Sequence, residues 1–340
     1  MINDKKINQL FLNWLIISTI LVFFIIIIGG LTRLTNSGLS ITEWELFQGI
    51  LPPFSNKSWE LYFHQYKQIP QYTLLNSSMS LEEFKVIFFW EYFHRFLARL
   101  IGIFILIPLI YFYFTRKIKK EYMSICYLIL TLIIIQGIIG WYMVKSGLVN
   151  EVTVSHYRLS FHLSTAIIII STMFWLIKNI LSKQHKKFFV YSKNNLPFQI
   201  LIFLIFIQII MGAFVSGLDA GKIYQTWPLM NNNYFPNDFN INSLNNIFEF
   251  DNHSLVQFYH RNLAYFIIFY VIGLSIFILK NKISNLYKPL YILLIFLVLQ
   301  IILGIYTLIS GLNIFLASTH QITSVILVFS ALNLYYFRVK

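Results

Sequence analysis

The chain has 340 residues, of which 57% are hydrophobic and only 11% are charged. Because about a quarter of the residues in an ordinary soluble protein are charged, this composition excludes a soluble globular protein and indicates an integral membrane protein. Lys and Arg outnumber Asp and Glu by 26 to 13, which gives a net charge of +13. The single cysteine, Cys126, excludes an internal disulfide, a cysteine zinc site and a cysteine-held iron–sulfur cluster.

Eight apolar stretches are each long enough to cross a bilayer, which takes about 20 apolar residues per helix. Their apolar runs are continuous and lack the alternation that is typical of membrane β-strands. The sequence therefore predicts an all-α integral membrane protein with eight transmembrane helices, at residues 10–31, 91–114, 122–144, 157–178, 196–217, 256–279, 288–309 and 316–337.

The charged residues are distributed unevenly between the two sides of these spans. One side, which holds both termini and the short loops, carries 16 cations and two anions, whereas the other carries 10 cations and 11 anions. Since Lys and Arg accumulate in cytoplasmic loops, both termini are predicted to be cytoplasmic, and nucleic-acid binding is not expected. No Arg/Ser-rich transit segment precedes the first span, so we expect a bacterial cytoplasmic (inner) membrane location with multiple passes.

Two long segments, 32–90 and 218–255, fall on the outer side and are too long for simple connections, so we expect them to cover a site. The first has a partly helical pattern. Ser80 and Glu83 form the sequence pattern of a capping box, which predicts the start of the helix that becomes the second span.

An internal repeat relates the first four spans to the last four. Polar and glycine landmarks recur in the same order at separations of 158 to 183 residues, and an even number of helices per repeat gives both halves the same orientation. The sequence therefore predicts two pseudo-symmetric four-helix bundles, residues 1–190 and 191–340. The matched pairs are Gly29 and Gly212, Gly38 and Gly221, Trp44 and Trp227, His94 and His260, Gln136 and Gln300, Gly140 and Gly304, and His162 and His320.

Four histidines lie near the outer, N-terminal ends of the even-numbered spans: His94, His162, His260 and His320. A buried histidine often makes only a polar contact between membrane helices. Four at repeat-related positions favour function instead, because ionisable groups inside a membrane are costly and neutral imidazole ligates haem iron. We therefore expect one porphyrin pocket in each half, whereas His156 is expected to be a solvated interfacial residue.

Arginines accompany three of these histidines. A guanidinium binds a carboxylate through two parallel hydrogen bonds, so haem propionates are natural partners. Snorkelling of the side chains to lipid headgroups explains the same positions. The residues concerned are Arg95, Arg99, Arg158 and Arg261.

Glu91 lies three residues before His94, whereas the corresponding position before His260 holds Gln257. A carboxylate beside a porphyrin edge accepts protons or stabilises a developing cation. The alternative is a carboxylate favoured by the dipole at a helix start. On the first hypothesis the first half holds the reactive site and the second a fixed haem.

Together these stretches resemble haem A synthase, the membrane enzyme of cytochrome oxidase cofactor assembly. The resemblance extends over all eight spans. It rests on GGLTRLTNSGLSITEW at 29–44, WEYFHR at 90–95, YRLSFH at 157–162, GAFVSGLDAG at 212–221, TWPLM at 226–230, QFYHR at 257–261 and THQ at 319–321.

The resemblance implies oxidation of the C8 methyl group of haem O to a formyl group, giving haem A for cytochrome c oxidase. It implies that His94 and His162 hold the substrate haem O, with Glu91 as the functional carboxylate. His260 and His320 would ligate a haem b for electron transfer. The outer-loop cysteine pair of some bacterial members is absent, which places the chain closer to the proteobacterial and mitochondrial branch.

The implied partners are haem O synthase, the cytochrome c oxidase assembly route, membrane lipid, an electron acceptor of unidentified chemistry and, compatible with the pattern, further copies of the chain. Two other functions stay open at this point. A non-catalytic di-haem b-type electron carrier explains four histidines but not a carboxylate in only one half. A haem transporter or chaperone explains the repeat but not the paired ligands.

Overall fold

The computed structural model describes residues 2–43, 48–150, 152–238 and 248–339. Trp44, one member of a repeated pair, lies outside this range. The described chain forms ten α-helices joined by loops and short 3-10 turns. They are α1 (Ile2–Leu34), α2 (Asn56–Tyr66), α3 (Pro70–Leu75), α4 (Leu81–Thr115), α5 (Lys120–Asn150), α6 (His156–Ser182), α7 (Leu196–Gly217), α8 (His253–Lys280), α9 (Tyr287–Ile309) and α10 (Ile314–Arg338).

Eight of these helices, α1 and α4 to α10, are long and apolar enough to cross a membrane. Each predicted span falls within one of them, so the prediction of an all-α membrane protein with eight spanning helices is confirmed. The two remaining helices, α2 and α3, belong to the first outer segment, which confirms its partly helical character.

Helix α4 begins ten residues before the apolar run that predicted it. The reason is the capping box, which is confirmed: Glu83 Oε2 accepts from the Ser80 backbone N–H at 2.8 Å, and Ser80 Oγ accepts from the Glu83 N–H at 3.3 Å. Two otherwise unpaired N–H groups are thereby satisfied. The extra turns raise the helix beyond its apolar run and give the outer segment a surface to pack on.

The outer segment 32–90 folds into a layer on these first turns of α4. Phe63 and Tyr66 of α2 pack against Phe84 and Phe88 of α4, together with Leu39. The rings of Phe63 and Phe84 stack with centroids 5.0 Å apart. Since such aromatic pairs add to ordinary apolar burial, this segment has a small hydrophobic core of its own.

The chain divides into two compact units, residues 1–170 and 171–340, with the dividing point inside α6. In the first, α1 packs along α4, and Trp14 Nε1 donates to the Phe104 carbonyl oxygen at 3.0 Å. In the second, α7 packs against α8 and α10, and α9 packs against α10.

The expectation for His156 is wrong. This residue begins α6 with only 6% of its surface exposed. Its ring lies against that of Tyr157, with centroids 4.0 Å apart. The tertiary packing of the helix start removes the imidazole from solvent, a contact that the span boundary alone does not reveal.

Candidate functional site

Each of the four repeat-related histidines places its imidazole against a glycine of the preceding spanning helix. The contacts join Gly29 to His94, Gly140 to His162, Gly212 to His260 and Gly304 to His320. A methyl group built on any of these glycines would lie 2.9–3.2 Å from a ring atom of its histidine. A side chain at these positions would press on the ring, so the repeated glycines permit the close approach of each histidine.

Three of the preceding helices also hydrogen-bond to the histidine backbone. Gln136 Nε2 donates to the His162 carbonyl oxygen, Gln208 Nε2 to that of His260 and Gln300 Nε2 to that of His320, each at 3.0 Å. We call this hydrogen bond the glutamine bridge. Each glutamine lies four residues before the contacting glycine, hence one turn away on the same helix face. The matching of Gln136 with Gln300 was visible in the sequence, but the role of these side chains was not.

The first pair of histidines, His94 and His162, lies within the first unit. Their ring centroids are 6.5 Å apart with an interplanar angle of 71°, and both rings are partly exposed. The two imidazoles, contributed by α4 and α6, are therefore neighbours.

The second pair, His260 and His320, lies within the second unit. Both residues are partly exposed. The buried Nδ1 atoms of His162, His260 and His320 have no hydrogen-bond partner among the described residues. Unpaired buried polar atoms are costly, so these imidazoles fit a bound group better than a purely structural contact.

The donor set favours a porphyrin over a bare metal ion. Among the described residues, no cluster of three or more His, Cys, Asp or Glu side chains is suited to a metal. Zinc ordinarily takes at least three protein ligands, whereas haem iron needs only axial ligands because the macrocycle supplies the others. Two pairs of imidazoles on facing helices fit the second case.

Glu91 is 2% exposed and accepts three hydrogen bonds. Its Oε2 accepts from Ser40 Oγ at 2.7 Å and from the Ile41 N–H at 2.9 Å. Its Oε1 pairs with Arg95 Nη2 at 2.6 Å. Glu91 thus fastens the start of the outer segment to α4. The helix-start explanation of this carboxylate is wrong, because α4 begins at Leu81 and the dipole effect is confined to the first turn.

Gln257 and Arg261 make the corresponding contacts on α8. Gln257 Nε2 and Arg261 Nη2 both donate to the Tyr224 carbonyl oxygen at 2.9 Å. Arg261 Nη1 also donates to the Thr226 carbonyl oxygen at 2.9 Å. The local layout is the same as at Glu91, with residues i and i+4 holding the outer segment. The polarity differs, because Glu91 accepts from that segment and Gln257 donates to it.

The predicted arginines occupy different surroundings. Arg95 also donates to the Ile41 carbonyl oxygen at 3.0 Å, and Arg99 lines a pocket beside it. The Arg158 guanidinium lies over the Tyr142 ring, 5.2 Å from its centroid. A second pocket, of about 200 Å³, is lined by Arg95 together with Trp141 and Lys145 of α5. Sequence reasoning missed Lys145, which lies five residues after Gly140 on α5.

A buried tyrosine occurs in each outer segment. Burial raises the pKa of the Tyr66 phenol, which donates to Gln71 Oε1 at 3.0 Å. Burial also raises the pKa of Tyr224, which donates to Asp238 Oδ1 at 3.1 Å. Both phenols therefore stay protonated at neutral pH and remain hydrogen-bond donors within the layers that cover the histidines.

Comparison with known proteins gives full-length matches. The family model for "Cytochrome oxidase assembly protein", COX15-CtaA, matches residues 12–332. A protein of Pelagibacter ubique (strain HTCC1062) named "Heme A synthase" is 47% identical over 333 residues, covering 96% of each chain. Proteins of the same name from Rickettsia felis and Rickettsia africae are 42% and 43% identical, covering 94% of this chain and 95% of theirs.

The glycine contacts predict an overpacking effect. In Gly304→Ala the added methyl group would lie 2.9 Å from His320 Cε1, whereas in Gly273→Ala it meets nothing within 4 Å. We expect Gly304→Ala to lose about 1–3 kcal/mol of stability and Gly273→Ala to lose none. The measurement is thermal unfolding in detergent, followed by the reaction of a thiol dye with Cys126, which is buried in the folded chain. Equal melting temperatures for Gly304→Ala and Gly273→Ala would contradict the close contact between Gly304 and His320.

Proposed function

Because the chain belongs to the cytochrome oxidase assembly protein family, we propose that it is a haem A synthase, which oxidises the C8 methyl group of haem O to the formyl group of haem A for cytochrome c oxidase. The observation that carries the proposal is the pairing of His94 with His162, 6.5 Å apart and glycine-packed on two helices. The printed names of the relatives support the same function. They give no support to the non-catalytic di-haem electron carrier.

We assign a different porphyrin to each histidine pair. His94 and His162 would hold the substrate haem O, and His260 and His320 would hold a haem b. The difference between Glu91 and Gln257 supports this assignment, because the position three residues before the histidine holds an ionisable carboxylate in the first half and an amide in the second. A haem b held by two imidazoles supplies one-electron transfer. The protein residues would fix the position of each porphyrin and exclude water.

With the oxygen atom taken from water, the conversion of a methyl to a formyl group releases four electrons and four protons. The electrons must leave for an acceptor, and the protons need a local base. Glu91 is our candidate for that base. Its carboxylate is already held by Arg95 and Ser40, so protonation would weaken the 2.6 Å ion pair to Arg95. Proton uptake at Glu91 would thereby loosen the start of the outer segment.

The arginines would bind the carboxylates that both porphyrins carry. Arg95 and Arg99 line a pocket in the first unit, beside Glu43 and Tyr92. Arg158 is assigned to the first porphyrin and Arg261 to the second, because each shares a helix with one of the histidines. A planar guanidinium suits this task because it forms paired hydrogen bonds to a carboxylate.

The proposed setting is the bacterial inner membrane, with both termini in the cytoplasm and the histidine pairs toward the periplasm. The excess of Lys and Arg on the side of the termini supports this orientation. The two halves, 1–190 for substrate and 191–340 for haem b, would be pseudo-symmetric. Haem O synthase would supply the substrate, and an unidentified acceptor, membrane lipid and further copies of the chain complete the proposed partners.

Histidine variants separate the two pockets. His162→Ala should lose haem O while keeping haem b, and His260→Ala should lose haem b while keeping haem O. The measurement is extraction of the porphyrins from purified protein and their separation by chromatography, with His185→Ala, an exposed loop residue, as the control. If either variant lost both porphyrins or neither, the assignment of separate guests would be wrong.

The base role of Glu91 can be separated from its structural role. Glu91→Gln should abolish most haem A formation while haem O stays bound, because the side chain can no longer take up a proton. Ser40→Ala removes one hydrogen bond to the same carboxylate but leaves its charge, so it should keep most of the activity. Normal haem A formation in Glu91→Gln, with normal haem content, would contradict the base role. An equal loss of haem A formation in Glu91→Gln and Ser40→Ala would show that Glu91 acts only by anchoring the outer segment.

The orientation predicts selective labelling of introduced cysteines. Ser78 and Ser284 are exposed, at the two opposite predicted sides, and the native Cys126 is buried. A membrane-impermeant maleimide should label Ser78→Cys in cells whose outer membrane is permeabilised, and Ser284→Cys only after the inner membrane is opened. Labelling of Ser284→Cys alone in intact inner membranes would reverse the assignment.

A further inference from the structure

Three of the four histidines have a glutamine bridge, and the fourth has no counterpart in sequence. The glutamine stands four residues before the contacting glycine at Gln136, Gln208 and Gln300. Four residues before Gly29, the glycine that contacts His94, the chain has Ile25. An isoleucine side chain cannot donate a hydrogen bond, so α1 holds His94 by packing alone.

The bridge and the glycine act on the same histidine from one helix face. Residues four apart in a helix are stacked one turn above the other. The amide holds the histidine backbone at a fixed distance, and the glycine one turn later receives the ring. A hydrogen bond to a histidine carbonyl that also serves its own helix adds a tie between helices, where small residues permit close approach.

The bridges in the second unit reach the ring as well as the backbone. Gln208 Nε2 lies 3.4 Å from His260 Nε2, and Gln300 Nε2 lies 3.3 Å from His320 Nε2. An amide N–H donates only to an unprotonated ring nitrogen. The same lone pair would bind iron, so on haem binding each bridge would keep its hydrogen bond to the carbonyl oxygen and give up its contact with Nε2. Thr323 Oγ1 donates to Gln300 Oε1 at 2.5 Å, which leaves the amide nitrogen facing His320.

We propose that Gln136, Gln208 and Gln300 are positioning residues for the iron-ligating histidines, and that the unbridged His94 is the ligand that yields when porphyrin enters or leaves the first pocket. This inference rests on the proposed function, which identifies the guest as a porphyrin. The presence of a bridge at three histidines and its absence at His94 match the different requirements of the two sites. A resident haem must stay in place between turnovers, whereas a substrate site must release its product.

The number of glutamine bridges is larger in the unit that would hold the resident haem. The second unit has two, each to the carbonyl oxygen of its histidine. The first unit has one, from Gln136, which bonds to the carbonyl oxygen of His162. Each added hydrogen bond restricts the rotation and sliding of its histidine. The second pair is therefore the better fixed of the two.

The test of the positioning role uses the spectroscopy of the oxidised haem. In Gln300→Met, haem b should remain bound, but its electron paramagnetic resonance g-values and its midpoint potential should shift, because the plane of the His320 ring is no longer fixed. Gln199→Met is the matched control. It removes an interhelical hydrogen bond from α7 to Tyr335, far along the helix from any histidine, and should leave both signals unchanged.

The proposed role of His94 is tested by the rate at which haem O leaves the first pocket. Purified protein loaded with haem O is mixed with apomyoglobin, and transfer is followed by absorbance. Ile25→Gln should slow release from the first pocket several-fold by adding the missing bridge, and Gln136→Met should speed it several-fold. The opposite directions keep the test decisive even if one variant fails to fold.

Unchanged g-values and potential in Gln300→Met would overturn the positioning role. Release rates that do not differ between Ile25→Gln, Gln136→Met and the unaltered chain would overturn the role of His94. Failure of the proposed function looks different: the unaltered chain would then form no haem A from haem O, whatever the g-values and the release rates.

Discussion

The contact between an imidazole and a bare stretch of helix backbone determines the rest of this structure. A histidine ring inside a bilayer needs space and a partner, and a glycine on the neighbouring helix provides the space. Gly29, Gly140, Gly212 and Gly304 each fill this role. The contact brings neighbouring helices close, which small residues permit in membranes, and it aims the rings at the interior of each unit.

The outer layers depend on the same helices. One turn before each of His94 and His260, α4 and α8 present Glu91 and Gln257 to the preceding outer segment. One helix face thus carries both a proposed iron ligand and the anchor of its cover. On the proposed base role of Glu91, its protonation would weaken the ion pair to Arg95 beside this anchor.

Much of the fold could be predicted from the sequence because membrane helices are specified locally. Continuous apolar runs gave the eight spans, and Ser80 with Glu83 gave the start of α4. The four histidines stood out because ionisable residues are rare in such runs. The partners of Glu91, the burial of His156 and the glutamine bridges were not predictable, since each depends on which residue of a distant helix lies opposite.

The central claim is that each unit holds one porphyrin between its two histidines. Extraction of the porphyrins from the purified, unaltered chain, with chromatography and quantification against protein, tests it most directly. The account predicts two porphyrins per chain, one haem B and one haem O or an oxidised derivative of it. A single porphyrin per chain, or two equivalents of haem B and no haem O or derivative, would contradict it.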